Sequence, residues 1–378
     1  MSGNEMRYIQ EAFDTNWVVP LGPNVDAFEE DLERFAGEEK RVVALASGTA
    51  AVHLAMVCLG VGKGDEVICQ SFTFAASCNP AVYLGATPVF VDSEEPTWNM
   101  DPNKLEDAIK DRMQKTGKKP KAIVLVYMYG MPAYIDETLE IANRYEIPVI
   151  EDSAEAFGSK YKGHMVGTFG QFGIMSFNGN KMITTSGGGA LICPDEESKK
   201  KVMFYATQAR EQKPYYLHEE IGFNYRMSNV CAGIGRGQMT VADAHIKHHQ
   251  RIAHLYADAF RDIEEIKVHL APEAYMEPNY WLSTITFEKS HSNGIYGVAC
   301  EPNEQVKRSM QALSTVGIES RPLWKPMHSQ PVYKGAPAYV DGTSERLFQK
   351  GLCLPSGPCV TDEDIEMIVK TLKESVVL

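Results

Sequence analysis

Between residues 41 and 151, short apolar runs alternate with helical patterns, and this alternation constrains the fold more than any other feature of the chain. Runs at 41–46, 66–69, 88–91, 122–127 and 149–151 read as strands. Helical patterns at 49–59, 74–84, 103–110 and 135–145 lie between them. Strands that are apolar along their length and joined by helices build a mostly parallel sheet covered on both faces. The expected class is therefore α/β.

The flanks differ. Residues 1–40 read as two helices, 4–16 and 24–35, separated by Pro20-Leu-Gly-Pro23. Residues 170–193 break the alternation, with short strands at 172–177 and 189–192. From about residue 241 the pattern becomes a long helix at 241–263, strands at 268–270 and 281–287, and helices at 304–316 and 361–375. With 378 residues, the chain is too long for one ordinary core. The expected division is a large domain, 1–245, and a smaller C-terminal α+β domain, 246–378.

The break holds the chemistry. Ser176-Phe-Asn-Gly-Asn-Lys181-Met-Ile-Thr-Thr-Ser-Gly-Gly-Gly189 sets one lysine in a segment rich in small residues. Glu151-Asp152-Ser-Ala-Glu155-Ala156 precedes it, at the end of the strand Ile147-Pro-Val-Ile150. Open α/β sheets hold ligands beyond the carboxyl ends of their strands. A lysine and a carboxylate there are what pyridoxal 5'-phosphate (PLP) needs. The lysine holds it as a Schiff base, and the carboxylate keeps its pyridine nitrogen protonated. Ser47-Gly48-Thr49-Ala50 joins a strand to a helix. Ser47 can cap that helix, Gly48 allows close approach, and the first-turn amides can take a phosphate. Ser176 can add a hydroxyl to the phosphate, and Phe74 can stack on the ring. Asp152 also fits a helix cap, and Phe74 also fits a core position.

Other chemistries lack their signatures. A net charge of −13, without a basic stripe, disfavours nucleic acid. Lys118-Lys119 and Lys199–Lys201 read as solvated surface. His245 and His249 have the i, i+4 spacing of a zinc pair but lie in a polar run with no further ligands, so a solvated helix face and no metal are expected. Gly187-Gly-Gly189 is no P-loop, and no Gly-x-Ser-x-Gly elbow occurs. Eight cysteines, none in Cys-x-x-Cys, read as buried free thiols in a reducing compartment. The N-terminus carries no apolar signal core, and the longest apolar run, 122–131, is about half a membrane span. A cytoplasmic protein without a membrane partner is expected.

The chain resembles the fold-type I PLP-dependent aminotransferases that aminate nucleotide-linked keto-sugars, over nearly its whole length. The segments that carry the resemblance include Pro20-Leu-Gly-Pro23, Ala46-Ser-Gly-Thr-Ala-Ala51, Gly85-Ala-Thr-Pro-Val-Phe-Val-Asp92 and Glu151–Ala156. Ser176–Lys181, Gly222-Phe-Asn-Tyr-Arg-Met227 and Arg321-Pro-Leu-Trp-Lys-Pro-Met-His328 complete the set. Within the family, Asn178–Gly189, Thr207-Gln-Ala-Arg-Glu211 and Ser344–Ser356 are most similar to the branch that forms the 4-amino group of UDP-N-acetylbacillosamine-type sugars. The resemblance implies a homodimer and an amino group moved from L-glutamate to C4 of a UDP-linked 4-keto-6-deoxy-N-acetylamino sugar. It assigns Lys181 as the catalytic residue that shuttles the proton. It implies cofactor contacts at Gly48, Thr49, Phe74, Asp152, Glu155 and Ser176, with Asn224 reaching the phosphate in the neighbouring subunit. It offers Arg226, Arg321, Trp324 and His328 as substrate contacts. Glu155 stands where many relatives carry Gln; a carboxylate beside the cofactor's 3'-oxygen would need protonation or a bridging water. The rivals are a C3 aminotransferase acting on a dTDP-keto-sugar, a sugar dehydratase, in which histidine would replace Lys181, and a PLP-binding regulator without turnover.

Overall fold

The computed structural model describes residues 1–37, 39–290 and 294–377. Two helices open the chain, α1 (Glu5–Asp14) and α2 (Pro23–Ala36). The alternation follows as β1 (Arg41–Leu45), α3 (Gly48–Cys58), β2 (Glu66–Gln70), α4 (Asn79–Tyr83), β3 (Thr87–Val91), α5 (Pro102–Thr116), β4 (Ala122–Val126), α6 (Ile135–Arg144) and β5 (Val149–Asp152). A small hairpin, β6 (Lys160–Tyr161) and β7 (His164–Met165), leads to β8 (Phe172–Ser176), β9 (Gly189–Cys193) and α7 (Glu196–Ala206). Then come α8 (Asn229–Met239), α9 (Ala242–Phe260), β10 (Ile266–Val268), β11 (Met276–Glu277), β12 (Ser283–Phe287) and α10 (Glu304–Thr315). The last elements are β13 (Arg321–Pro322), β14 (Ala338–Tyr339), α11 (Thr343–Lys350), β15 (Gly351–Leu354) and α12 (Asp362–Val377).

The main sheet has eight strands in the order β1-β9-β8-β5-β4-β2-β3-β14. Its pairs are parallel except those of β9, which runs against both β1 and β8. That reversal explains the break at 170–193. A chain that leaves β8 and returns beside it needs only a short connection, not a crossover helix. The connection sits at the carboxyl end of β8 and holds Lys181.

Successive residues of the inner strands feed opposite layers. Val67, Cys69, Val124 and Val126 join one core, while Ile68, Ile123 and Leu125 join the other. This is why these strands read as unbroken apolar runs. A four-stranded antiparallel sheet, β10-β12-β15-β13, packs a third core with α9, α10 and α12.

Several expectations are corrected. The helix expected at 74–84 is a 3-10 turn, Ala75–Ser77, followed by α4. Pro80 lies in the first turn of α4; it can start a helix but not lie inside one. The strand expected at 268–270 ends at Val268. The expected boundary at 245 falls inside α9, which is unbroken: Ala242 and Ile246 pack in the first core and Ile252, Tyr256 and Phe260 in the third. His249 is buried rather than solvated, because that face of α9 packs on the chain around Tyr280, whose carbonyl lies 3.2 Å from Nδ1. Burial pushes the His249 imidazole down to about 4. Lys199 is drawn in as well, 2.8 Å from Glu33 and 3.5 Å from Glu29. Among the described residues no group of acids, histidines or cysteines could hold a metal, and no helix is long and apolar enough to cross a membrane. Six cysteines other than Cys58 and Cys231 split unevenly: Cys69, Cys78, Cys193, Cys300 and Cys353 are buried and Cys359 is exposed, all as free thiols.

The motif ending in Asp92 has a structural explanation. One Asp92 oxygen accepts from the amides of Asp341, Gly342 and Thr343, and the other from those of Ser93 and Ser344. The carboxylate thus ties the amino end of α11 to the end of β3, across some 250 residues of chain.

Candidate active site

The carboxyl ends of β1, β4, β5 and β8 meet around a cavity of about 490 Å³. Its polar side starts at the β1–α3 turn. Ser47 caps α3, its hydroxyl accepting from Ala50 N. Gly48 and Thr49, whose first-turn amides fall outside the helical ladder, line the cavity. The turn is packed too tightly for larger residues. A Cβ on Gly48 would lie 3.1 Å from Ser176 Cβ, and one on Gly189 only 2.4 Å from Gly48 N. The first strand residue after the lysine loop is therefore a glycine because the β1–α3 backbone lies directly on it.

The end of β5 supplies two acids with different tasks. Side chains alternate across a strand. Glu151 points away from the cavity and accepts from Tyr127 Oη and the amides of Gly167, Phe169 and Gly170, fastening the loop that leads into β8. Asp152 faces the cavity. Its Oδ2 accepts from Ser77 Oγ at 2.6 Å and its Oδ1 from Ala154 N at 3.1 Å. Ser77 Oγ is also 2.8 Å from Thr73 Oγ. Burial pushes the Asp152 carboxyl up, while Ser77, the Ala154 amide and Lys181 pull it down.

Lys181 Nζ stands 3.8 Å from Glu155 Oε1 and 4.0 Å from the centroid of the Trp281 ring. Burial pushes its amine below the ordinary lysine range; Glu155 and Asp152 act the other way. Glu155 is held by a closed ring of hydrogen bonds. Tyr129 N donates to Oε2 at 2.8 Å, Trp324 Nε1 to Oε1 at 3.2 Å, and Trp324 N to Tyr129 Oη at 2.9 Å. Burial raises the Glu155 carboxyl, against the pull of Lys181 and these donors.

Of the residues marked in the sequence, Gly48, Thr49, Phe74, Asp152, Glu155, Ser176, Lys181 and Trp324 all line this cavity. Phe74 is 60% exposed in the single chain, 6.4 Å between ring centroids from Trp324. The structure does not bring Arg226, Arg321 or His328 into it. Arg226 is matched to the Glu29 carboxylate and Ala44 O. Arg321 is paired with Glu319 at the surface. His328 Nδ1 is 2.6 Å from Ser71 Oγ, and its Nε2 is 3.4 Å from Glu345. Asn224 is exposed, outside the lining of its own chain's cavity, with its backbone bridged to Thr207. Sequence reasoning missed Thr73, Ser77, Tyr129 and Trp281. Ser77 lies three residues beyond Phe74, in a run that read as plain helix. Trp281 carries no local signal, since its place depends on the C-terminal half folding back.

The arrangement fits PLP by its donor set: helix-end amides and hydroxyls for a phosphate, a buried carboxylate for the ring nitrogen, and a buried amine for the aldehyde carbon.

The family model described as the DegT/DnrJ/EryC1/StrS aminotransferase family matches residues 1–373, and the chain belongs to that family. It is 45% identical over 377 residues to a Bacillus subtilis (strain 168) protein named "Putative pyridoxal phosphate-dependent aminotransferase EpsN", covering 98% of this chain and 93% of that one. It is 35% identical over 376 residues to the GDP-perosamine synthase of Escherichia coli O157:H7, covering 99% and 96%. Among solved structures, a DegT DnrJ EryC1 StrS aminotransferase from Brucella abortus superposes with a TM-score of 0.89 at 28% identity, covering 98% of this chain and 95% of that one. This chain is accordingly a PLP-dependent sugar aminotransferase with the fold expected from its sequence.

Proposed function

We propose that the enzyme moves an amino group from L-glutamate to C4 of a UDP-linked 4-keto-6-deoxy-N-acetylamino sugar. The observation that carries the aminotransfer is the convergence of Lys181 Nζ, the Asp152 carboxylate and the α3 amides on one cavity. Bound there, PLP would supply an electron sink for the carbanion at the donor's Cα. The chain's own groups do the rest. The amides of Gly48 and Thr49 and the Ser176 hydroxyl bind the phosphate, and Asp152 pairs with the ring nitrogen. Lys181 would be the covalent anchor at rest; once freed, its Nζ would take the proton from the donor's Cα and deliver it to the cofactor's aldehyde carbon, C4′. Trp281, Trp324 and Phe74 screen the reacting atoms from water.

The choice of UDP and C4 rests on segments 178–189, 207–211 and 344–356. A GDP-linked sugar is the second reading, favoured by the 35% identity to a GDP-perosamine synthase. The test loads the protein with pyridoxamine phosphate and offers UDP-, GDP- and dTDP-linked keto-sugars, reading the aminated carbon by NMR. Amination at C4 of the UDP sugar alone is expected. Preference for the GDP sugar, or amination at C3, overturns the assignment.

The working unit in this proposal is a homodimer, with Asn224 serving the neighbour's phosphate. Its exposure and its place outside its own cavity support that reading. Mixing Lys181→Ala with an inactivating Asn224 variant should then regain about a quarter of native activity. Roughly half the dimers are mixed after random exchange, and each has one intact site of two. No recovery despite demonstrated exchange would remove Asn224 from the partner's site.

A further inference from the structure

Besides its two acids, Lys181 has an aromatic neighbour. The Trp281 ring lies 4.0 Å, centroid to Nζ, from the lysine amine. An ammonium over an indole face is attracted by the ring's quadrupole, and most strongly where water is excluded. Trp281 is buried, and its ring is fastened to the lysine loop itself: Nε1 donates to Asn180 O at 2.7 Å. Its backbone N donates to Asn279 Oδ1 at 2.8 Å. The Asn279 Nδ2 in turn donates to Glu155 O and Phe157 O, both at 3.0 Å. One asparagine thus ties the indole to the segment that carries Glu155.

The backbone just before the ring is also unusual. Tyr280 has φ +49°, in the left-handed region that a bulky residue rarely adopts. The neighbours hold it there. His249 Nδ1 lies 3.2 Å from Tyr280 O, and Ala271 N donates to Tyr280 Oη at 3.1 Å. This strained turn directs residue 281 into the cavity.

We propose that Trp281 is a positioning residue for Lys181. Its indole face is the resting place of Nζ whenever the lysine is free, holding the ammonium within reach of the reacting carbons. This rests on the assignment of Lys181 above. The charged and titratable groups that face the amine are few. Glu155 and Asp152 come from the end of β5, with Tyr129 and Cys353 behind Glu155. The acids stabilise the ammonium and burial opposes it. The ring adds a stabilising contribution without a further buried charge, so the amine gains a partner and stays able to give its proton away.

The test measures the amine itself in cofactor-free protein. Acetic anhydride labels only neutral amines, so the pH midpoint for labelling the Lys181 peptide, read by mass spectrometry, reports its pKa. In Trp281→Leu the midpoint should fall by about 1 pH unit, the size of a desolvated cation–π contact. In Trp281→Phe, which keeps an aromatic face but loses the bond to Asn180 O, most of the native midpoint should remain. Equal midpoints for Leu and wild type, or for Phe and Leu, overturn the proposal. Should the Leu variant not fold, wild-type tryptophan fluorescence supplies the second measurement. It should show a pH transition at the Lys181 labelling midpoint, and Lys181→Ala should lack it; a transition that survives in Lys181→Ala is equally fatal. Failure of the catalytic reading is separate: borohydride would then fix PLP on a peptide other than that of Lys181.

Discussion

The two sides of the cavity are built differently. The floor comes from residues 46–188 and is made of strand ends, one helix end and the lysine loop; apart from Phe74 and a few aliphatic side chains it is polar, and it holds Lys181, Asp152 and Glu155. The wall comes from Trp281 and Trp324, in the last hundred residues, and is aromatic. Floor residues act by charge and hydrogen bonding. Wall residues act by shape, by one indole face over Lys181 and by one N–H to Glu155. The difference teaches where chemistry and selectivity should separate on mutation.

The largest effect should come from the centre of the floor. Lys181→Ala is expected to abolish turnover, and borohydride should no longer fix the cofactor to that peptide. Glutamate turnover at the native rate would move the site elsewhere. Asp152→Asn should keep the cofactor but lose about 10²-fold or more in kcat, about 3 kcal/mol of transition-state stabilisation. Near-native kcat would mean that another carboxylate partners the ring nitrogen.

Glu151→Gln tests whether position on the floor matters more than acidity. It lies next to Asp152 in sequence but faces the other way, and its two oxygens satisfy three amides and the Tyr127 hydroxyl. A glutamine NH2 group cannot accept from the amides of Phe169 and Gly170. Leaving them unpaired should cost about 3 kcal/mol of stability, seen as a lower denaturant midpoint, with kcat per folded molecule close to native. A large fall in kcat with stability unchanged would erase the distinction between the two faces of β5.

Much of the floor was legible in the sequence because it is local. Ser47-Gly48-Thr49, Glu151–Glu155 and Ser176–Lys181 are each a strand end plus the turn after it, and such turns keep their signals within a few residues. The parallel sheet was legible for the same reason: Ile68, Ile123 and Leu125 sit beside residues buried on the opposite face, so the strands read as unbroken apolar runs. What escaped depends on distant chain. His249 read as solvated because nothing nearby announces that residues 279–281 pack on it. Trp281 had no signal for its place in the site, and β14 joins the main sheet from the stretch between the helices expected at 304–316 and 361–375, where no strand was expected. Arg226 was offered as a substrate contact by the resemblance, yet Glu29, some two hundred residues earlier, already satisfies it.

The smallest expected effect is the sharpest test of the comparison. Trp324→Phe keeps a flat aromatic ring in the wall and removes only the Nε1 donor to Glu155. That bond is 3.2 Å long, and Glu155 retains Tyr129 N at 2.8 Å and the Lys181 amine at 3.8 Å. One hydrogen bond to a carboxylate is worth about 1.5–3 kcal/mol, and a long one belongs near the low end. The loss should therefore be about tenfold in kcat/KM. It should fall mainly on KM for the keto-sugar, because a wall that shapes the pocket binds substrate and transition state alike. The KM for glutamate, a smaller molecule that needs less of the wall, should move less. A hundredfold fall in kcat with KM unchanged for both substrates would put Trp324 into the proton chemistry through Glu155. The wall would then share the floor's task, and the division between the two sides would fail.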